Sequence, residues 1–233
     1  MQKERNCARM ARMAESNGKT DFIRARSDEH KEERLCQIKE ATAELFRTAP
    51  YAEITLTTIA EKLGWSRANL YKYVTTKEEI FLEIASEKMA AYYGDLIDAF
   101  KKASGRPASE LSKIWADVLD ANQDYMRYVS YLNPVIETNV TVDRLAAFKK
   151  KYYDFANDFC ALLSGALNCS QEAAYKIQLD VLFYASSNAV CCYKNPLVQK
   201  ALKKIKVVPP KMDFYADMQD FVSMRLAWNE RNS

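Results

Sequence analysis

Arg67, Asn69, Tyr71, Lys72 and Tyr73 place five hydrogen-bonding side chains within seven residues. Their chemistry suits a nucleic-acid duplex: guanidinium, amide and ammonium groups match base edges in a major groove, and phenols can reach phosphate oxygens. The stretch that must position them is LTTIAEKLGWSRANLYKY, Leu56 to Tyr73, whose spacing fits two short helices joined by one tight corner. Ile59, Ala60 and Leu63 recur at helical spacing, Gly64 stands where a helix can end in a left-handed residue, and Ser66 can cap a second helix. A small residue at Ala60 lets the second helix cross closely over the first, and Leu70 can plug the corner. The plainer alternative, a three-helix packing unit with a solvated polar face, does not need all three features at once.

The flanks extend the pattern. Leu35, Ile38, Ala41, Leu45 and Phe46 form an apolar stripe that predicts a supporting first helix. Thr76 and Glu79 have capping-box spacing, which starts a long helix near Lys77 and brings that lysine toward the DNA backbone. The segments RLCQIKEATAELF and ITLTTIAEKLGWSRANLYKYVTTKEEIF resemble the N-terminal domain of the TetR family of bacterial transcription regulators, over roughly residues 31–85.

That resemblance implies an all-α homodimer. An N-terminal three-helix helix-turn-helix domain would bind double-stranded operator DNA, followed by a helical ligand-binding and dimerisation domain that holds a small-molecule effector. By motif, Thr55 caps the second helix and meets a phosphate, and Ser66 heads the reading helix. Arg67, Asn69 and Lys72 face the groove, while Tyr71, Tyr73 and Lys77 touch the backbone. Trp65, Tyr73 and Val74 depart from the usual pattern. Trp65 and Val74 are expected to trade volume in the domain core, and Tyr73 alters one backbone contact.

Composition sets the class. The chain has 233 residues, 48% hydrophobic, enough for a sizeable core. Lys and Arg total 34 against 31 for Asp and Glu, so any basic footprint must be local. Ser186, Ser187 and Asn188 interrupt the best membrane candidate, Val181 to Tyr193, and the charged N-terminus has no signal-like apolar run, so a cytoplasmic protein is expected. Six cysteines without C-x-x-C spacing and a single histidine, His30, argue against a metal site, and no cofactor is expected. Few glycines and prolines and no period-2 runs predict helices nearly throughout.

Three segments are expected: a flexible basic arm over residues 1–27, whose Arg24 and Arg26 could reach a minor groove; a DNA-binding domain over 28–76; and a regulatory and dimerisation domain over 77–233. The long helix runs through Phe81, Met89, Tyr92 and Leu96 to a break at Ser104-Gly105-Arg106-Pro107. Further helices are expected over Leu111–Leu119, over Tyr125–Leu132 with its end at Asn133-Pro134, and over Val142–Ser164 with its end at Gly165. Two more follow, one capped by Ser170 and one over Met212–Glu230. Trp115, Tyr125, Tyr128, Phe148, Tyr152 and Phe155 are the candidate lining of an effector pocket beside the long helix, suited to an apolar or aromatic ligand. Ile177–Cys192 with Phe214–Trp228 would form the dimer seam. Control by a protein partner is the alternative regulator. A helical carrier or enzyme is disfavoured because the one histidine leaves no His-based dyad.

Overall fold

Long apolar periodicities with few breakers give ten α-helices among the described residues of the computed structural model, which describes residues 19–192 and 195–232. Helix α1 spans Lys19–Thr48. Residues 19–27, assigned to a flexible arm on sequence, therefore continue this helix with Arg24 and Arg26 on it, because nothing after Gly18 breaks it before Pro50. The rest of the arm lies outside the described residues. A 3-10 turn, Tyr51–Glu53, leads to α2 (Leu56–Leu63), α3 (Arg67–Leu70) and the long α4 (Lys77–Lys102).

The body contains α5 (Ala108–Ala121), α6 (Gln123–Tyr131), α7 (Val142–Leu167), α8 (Gln171–Cys192), α9 (Pro196–Ile205) and α10 (Phe214–Asn232). Two expected stops are corrected. Asn133-Pro134 does not end α6, which widens into a π turn over Leu132–Ile136, where the Glu137 N–H donates to the Leu132 carbonyl at 2.9 Å. The wider turn tolerates a proline that has no N–H to donate. Helix α7 passes through Gly165, and Asn168 takes the left-handed conformation instead, φ 48°, with the Cys169 N–H donating to the Ser164 carbonyl at 3.1 Å. Helix α9 was not anticipated. Asn195-Pro196 reads as an end but is a start: the Asn195 side chain caps the helix and proline fits its first turn.

The core is continuous from head to body. Helix α4 is its spine, packed against α5, α6 and α7, while α8 lies on α6 and α7 and α10 lies chiefly on α5. Phe214, Met218, Val222 and Leu226, spaced by four, form the inward stripe of α10. Trp115 is fully buried, its Nε1–H donating to the Tyr92 hydroxyl at 3.1 Å, with Phe100 and Phe159 edge-on to it at 5.7 and 5.1 Å. No helix among the described residues is long and apolar enough to cross a membrane.

Candidate nucleic-acid interface and ligand cleft

Two hydroxyl caps and one glycine build the corner. The Thr55 hydroxyl accepts from the Thr58 N–H at 3.1 Å and the Thr58 hydroxyl accepts from the Thr55 N–H at 2.9 Å, closing the start of α2. Gly64 ends that helix at φ 66°, with its N–H on the Glu61 carbonyl and the Trp65 N–H on the Ala60 carbonyl at 2.9 Å. A Cβ there would meet nothing within 4 Å, so the backbone angle, and not space, calls for glycine. The Ser66 hydroxyl accepts from the Asn69 N–H at 3.2 Å and starts α3. Ile59, Ala60 and Leu70 are buried as the spacing predicts. Val74 is buried too, but Trp65 lies at the edge of the core, half-covered by the Arg34 guanidinium 5.0 Å over its ring and by Tyr73 at 6.0 Å.

Helix α3 is a single turn, so its polar side chains stand outward. Arg67, Tyr71 and Lys72 are exposed; Asn69 and Tyr73 are partly so. Arg67 donates to the Tyr71 hydroxyl at 3.4 Å and lies 5.9 Å from its ring centre, which orders two of these side chains against each other.

Lys77 points the other way. Its ammonium donates to the Tyr51 carbonyl at 3.0 Å and the Ile54 carbonyl at 2.8 Å, and sits 4.0 Å over the Tyr51 ring. Burial lowers its pKa accordingly. Here it clamps the Tyr51–Glu53 turn to the start of α4 and does not face outward. The box at Thr76 is also offset: the Thr76 hydroxyl accepts from the Glu79 N–H at 3.2 Å, but the buried Glu79 carboxylate takes the Thr75 N–H at 3.0 Å.

An aromatic joint connects this head to α6. Phe46, near the end of α1, meets Tyr128 at 4.9 Å and Tyr131 at 5.6 Å, and Tyr51 stacks on Tyr131 at 4.9 Å. Arg127 donates to the Phe46 carbonyl at 2.9 Å and covers its ring at 4.5 Å. Tyr128 thus belongs to the joint.

The other face of α6 borders a cleft of about 210 Å³ between α6, α7 and α8. Of the six expected lining residues, Tyr125, Phe148 and Tyr152 are there. Trp115, Tyr128 and Phe155 are not, because each is used in packing, Phe155 by stacking on Tyr93 at 5.9 Å. Nor does α4 line it. Sequence reasoning missed Glu137, Lys149, Tyr153, Tyr175 and Phe183, although Tyr175, Leu179 and Leu182 at helical spacing on α8 were a readable signal. Lys149 donates to Glu137 at 2.7 Å. Burial pushes the hydroxyl pKa values of Tyr125, Tyr152 and Tyr175 upward, so these phenols stay neutral at physiological pH. A second pocket of about 240 Å³ between α4 and α7 is edged by Glu83, Arg144 and Lys151.

Residues 38–84 match the model for bacterial regulatory proteins of the tetR family, and residues 86–227 match a tetracyclin repressor-like C-terminal domain. Among solved structures, a transcriptional regulator of the TetR/AcrR family from Thermobifida fusca YX-ER1 is 16% identical over 83% of this chain and 96% of its own, with a TM-score of 0.54. A chain assigned to the TetR family from Mesorhizobium loti MAFF303099 is 14% identical over 87% of this chain and 97% of its own, at 0.51. At such identities the likeness is one of fold. No curated protein matches the sequence.

Proposed function

The chain belongs to the TetR family of bacterial regulatory proteins, and from that premise we propose that it is a cytoplasmic homodimeric repressor, released from a palindromic operator by a small effector. The observation that carries this reading is the outward polar face of α3, held by the Gly64 corner and the Ser66 cap. Arg67, Asn69 and Lys72 read base edges; Thr55, Ser66, Tyr71 and Tyr73 hold phosphates. Lys77 acts one step back, fixing the turn against which α3 and α4 are set.

Dimerisation is supported by apolar side chains left outside on two helices in mutual contact: Tyr184 and Val190 on α8, Met224 and Trp228 on α10. The inward halves of both helices are already used by the subunit's own core. Effector control is supported by α6, which borders the cleft with Tyr125 and Val129 and meets the head with Arg127, Tyr128 and Tyr131. A ligand that shifts α6 shifts the joint, and by linkage operator and ligand weaken each other by the same factor.

Fluorescence anisotropy with duplexes from DNA flanking the protein's own gene tests the reading. One palindromic fragment should bind about a thousandfold or more tighter than a scrambled one. Equal affinity for every duplex would remove the proposal.

A further inference from the structure

We infer that the cleft between α6, α7 and α8 takes an organic monocation with an apolar body, such as a quaternary or alkyl ammonium, in place of the Lys149 ammonium on Glu137. This rests on the reading of that cleft as the effector site.

The wall chemistry comes first. Tyr125 and Phe148 form a buried floor, Tyr152 and Tyr175 the partly covered sides, and Tyr153 and Phe183 lie half-exposed among the lining residues. Six aromatic residues line one cleft, and the electron-rich faces of such rings are the surfaces that alkylammonium groups prefer. Burial raises the hydroxyl pKa values of Tyr125, Tyr152 and Tyr175 and so keeps them neutral, and they supply no fixed charge.

The sign of the ligand follows from the ion pair that Glu137 and Lys149 form in the lining, the one there among the described residues. Glu137 and Lys149 compensate each other at 2.7 Å, but unequally: the Glu137 side chain is 14% exposed, the Lys149 side chain 36%. An anion would have to take Lys149 and leave Glu137 covered and unpaired, which is the costly way to break such a pair. A cation displaces Lys149 instead. The lysine stem is long enough to return its ammonium to water, and Glu137 keeps a positive partner throughout. A neutral ligand leaves the pair intact and gains only apolar contact. The ordering is therefore cation, then neutral, then anion.

The test uses the full-length protein and three single-ring probes of similar size: benzyltrimethylammonium, its uncharged carbon isostere neopentylbenzene, and phenylacetate. Binding is measured by calorimetry and by quenching of intrinsic fluorescence. Benzyltrimethylammonium should bind about tenfold or more tighter than the isostere, and phenylacetate weakest. Glu137→Gln should abolish the preference for charge, whereas Lys149→Met should raise affinity for the cation. Both variants break the same ion pair, so a purely structural role would move them in the same direction; the inference requires opposite directions. If either variant fails to fold, the other and the three-probe ordering still decide. Equal or tighter binding of the isostere or of phenylacetate, or weaker cation binding by Lys149→Met, overturns the inference while leaving a ligand cleft in place. If no probe binds, the inference falls together with the cleft as effector site, and operator binding measured separately shows whether the DNA reading stands.

Discussion

In the head, the side chains assigned to DNA stand outside a four-residue helix, and few residues hold them there: Gly64, Ala60, Leu70 and the Thr55 and Ser66 caps. In the body the proportions reverse. Half of the aromatic residues expected around a ligand are used in packing instead, and the cleft opens where α6, α7 and α8 fail to close on one another. A reading surface is built by local geometry, since caps, a left-handed glycine and a small crossing residue each act within a few positions. A cavity is a shortfall of packing between elements distant in sequence, and an aromatic stripe looks the same whether or not its partners fill the space.

Trp115 separates the body from the head most visibly. If it is core, Trp115→Ala should lower stability by roughly 3–5 kcal/mol in chemical denaturation, without tightening any cleft ligand. A stable variant with altered ligand affinity would return Trp115 to the pocket. Arg67→Ala should do the opposite: lose about 1–3 kcal/mol of discrimination between operator and mutated operator, with an unchanged melting temperature. Gly64→Ala should cost about 1–2 kcal/mol, read from its melting curve, because only φ and no neighbour opposes the new methyl group. Gly64→Asn should cost less, since asparagine tolerates the left-handed region.

The smallest effect separates Lys72 from Lys77, five positions further on. Lys72→Ala should make the log-log salt dependence of operator binding shallower by about one unit. Lys77→Ala should leave that slope nearly unchanged and act through stability, because its ammonium is tied to the Tyr51 and Ile54 carbonyls. A full unit lost with Lys77→Ala would mean the lysine leaves those carbonyls for a phosphate.

The same contrast explains what was legible in the sequence. The helical class, the corner at Gly64, the caps at Thr55, Ser66 and Ser170 and the break before Pro107 were readable because each is local chemistry. The inward turn of Lys77 was not, since it depends on two carbonyls more than twenty residues upstream. The ends of α6 and α7 were misplaced where a π turn absorbed a proline and an asparagine took a glycine's role. Trp115, Tyr128 and Phe155 lie outside the cleft because they pack against Tyr92, Phe46 and Tyr93, partners that the sequence does not show. On α8 and α10 the sequence shows apolar residues on more than one side, but only the fold separates the inward stripe of Met218 and Val222 from the outward Met224 and Trp228.

The central claim, paired reading heads on one palindrome, is tested most directly by a hydroxyl-radical footprint of the full-length protein on the DNA flanking its gene. Two protected half-sites should appear, their centres about 34–36 Å apart or a multiple of that distance, and both should be lost with Arg67→Ala. Protection of a single half-site, or uniform protection that ignores sequence and survives that substitution, would contradict it.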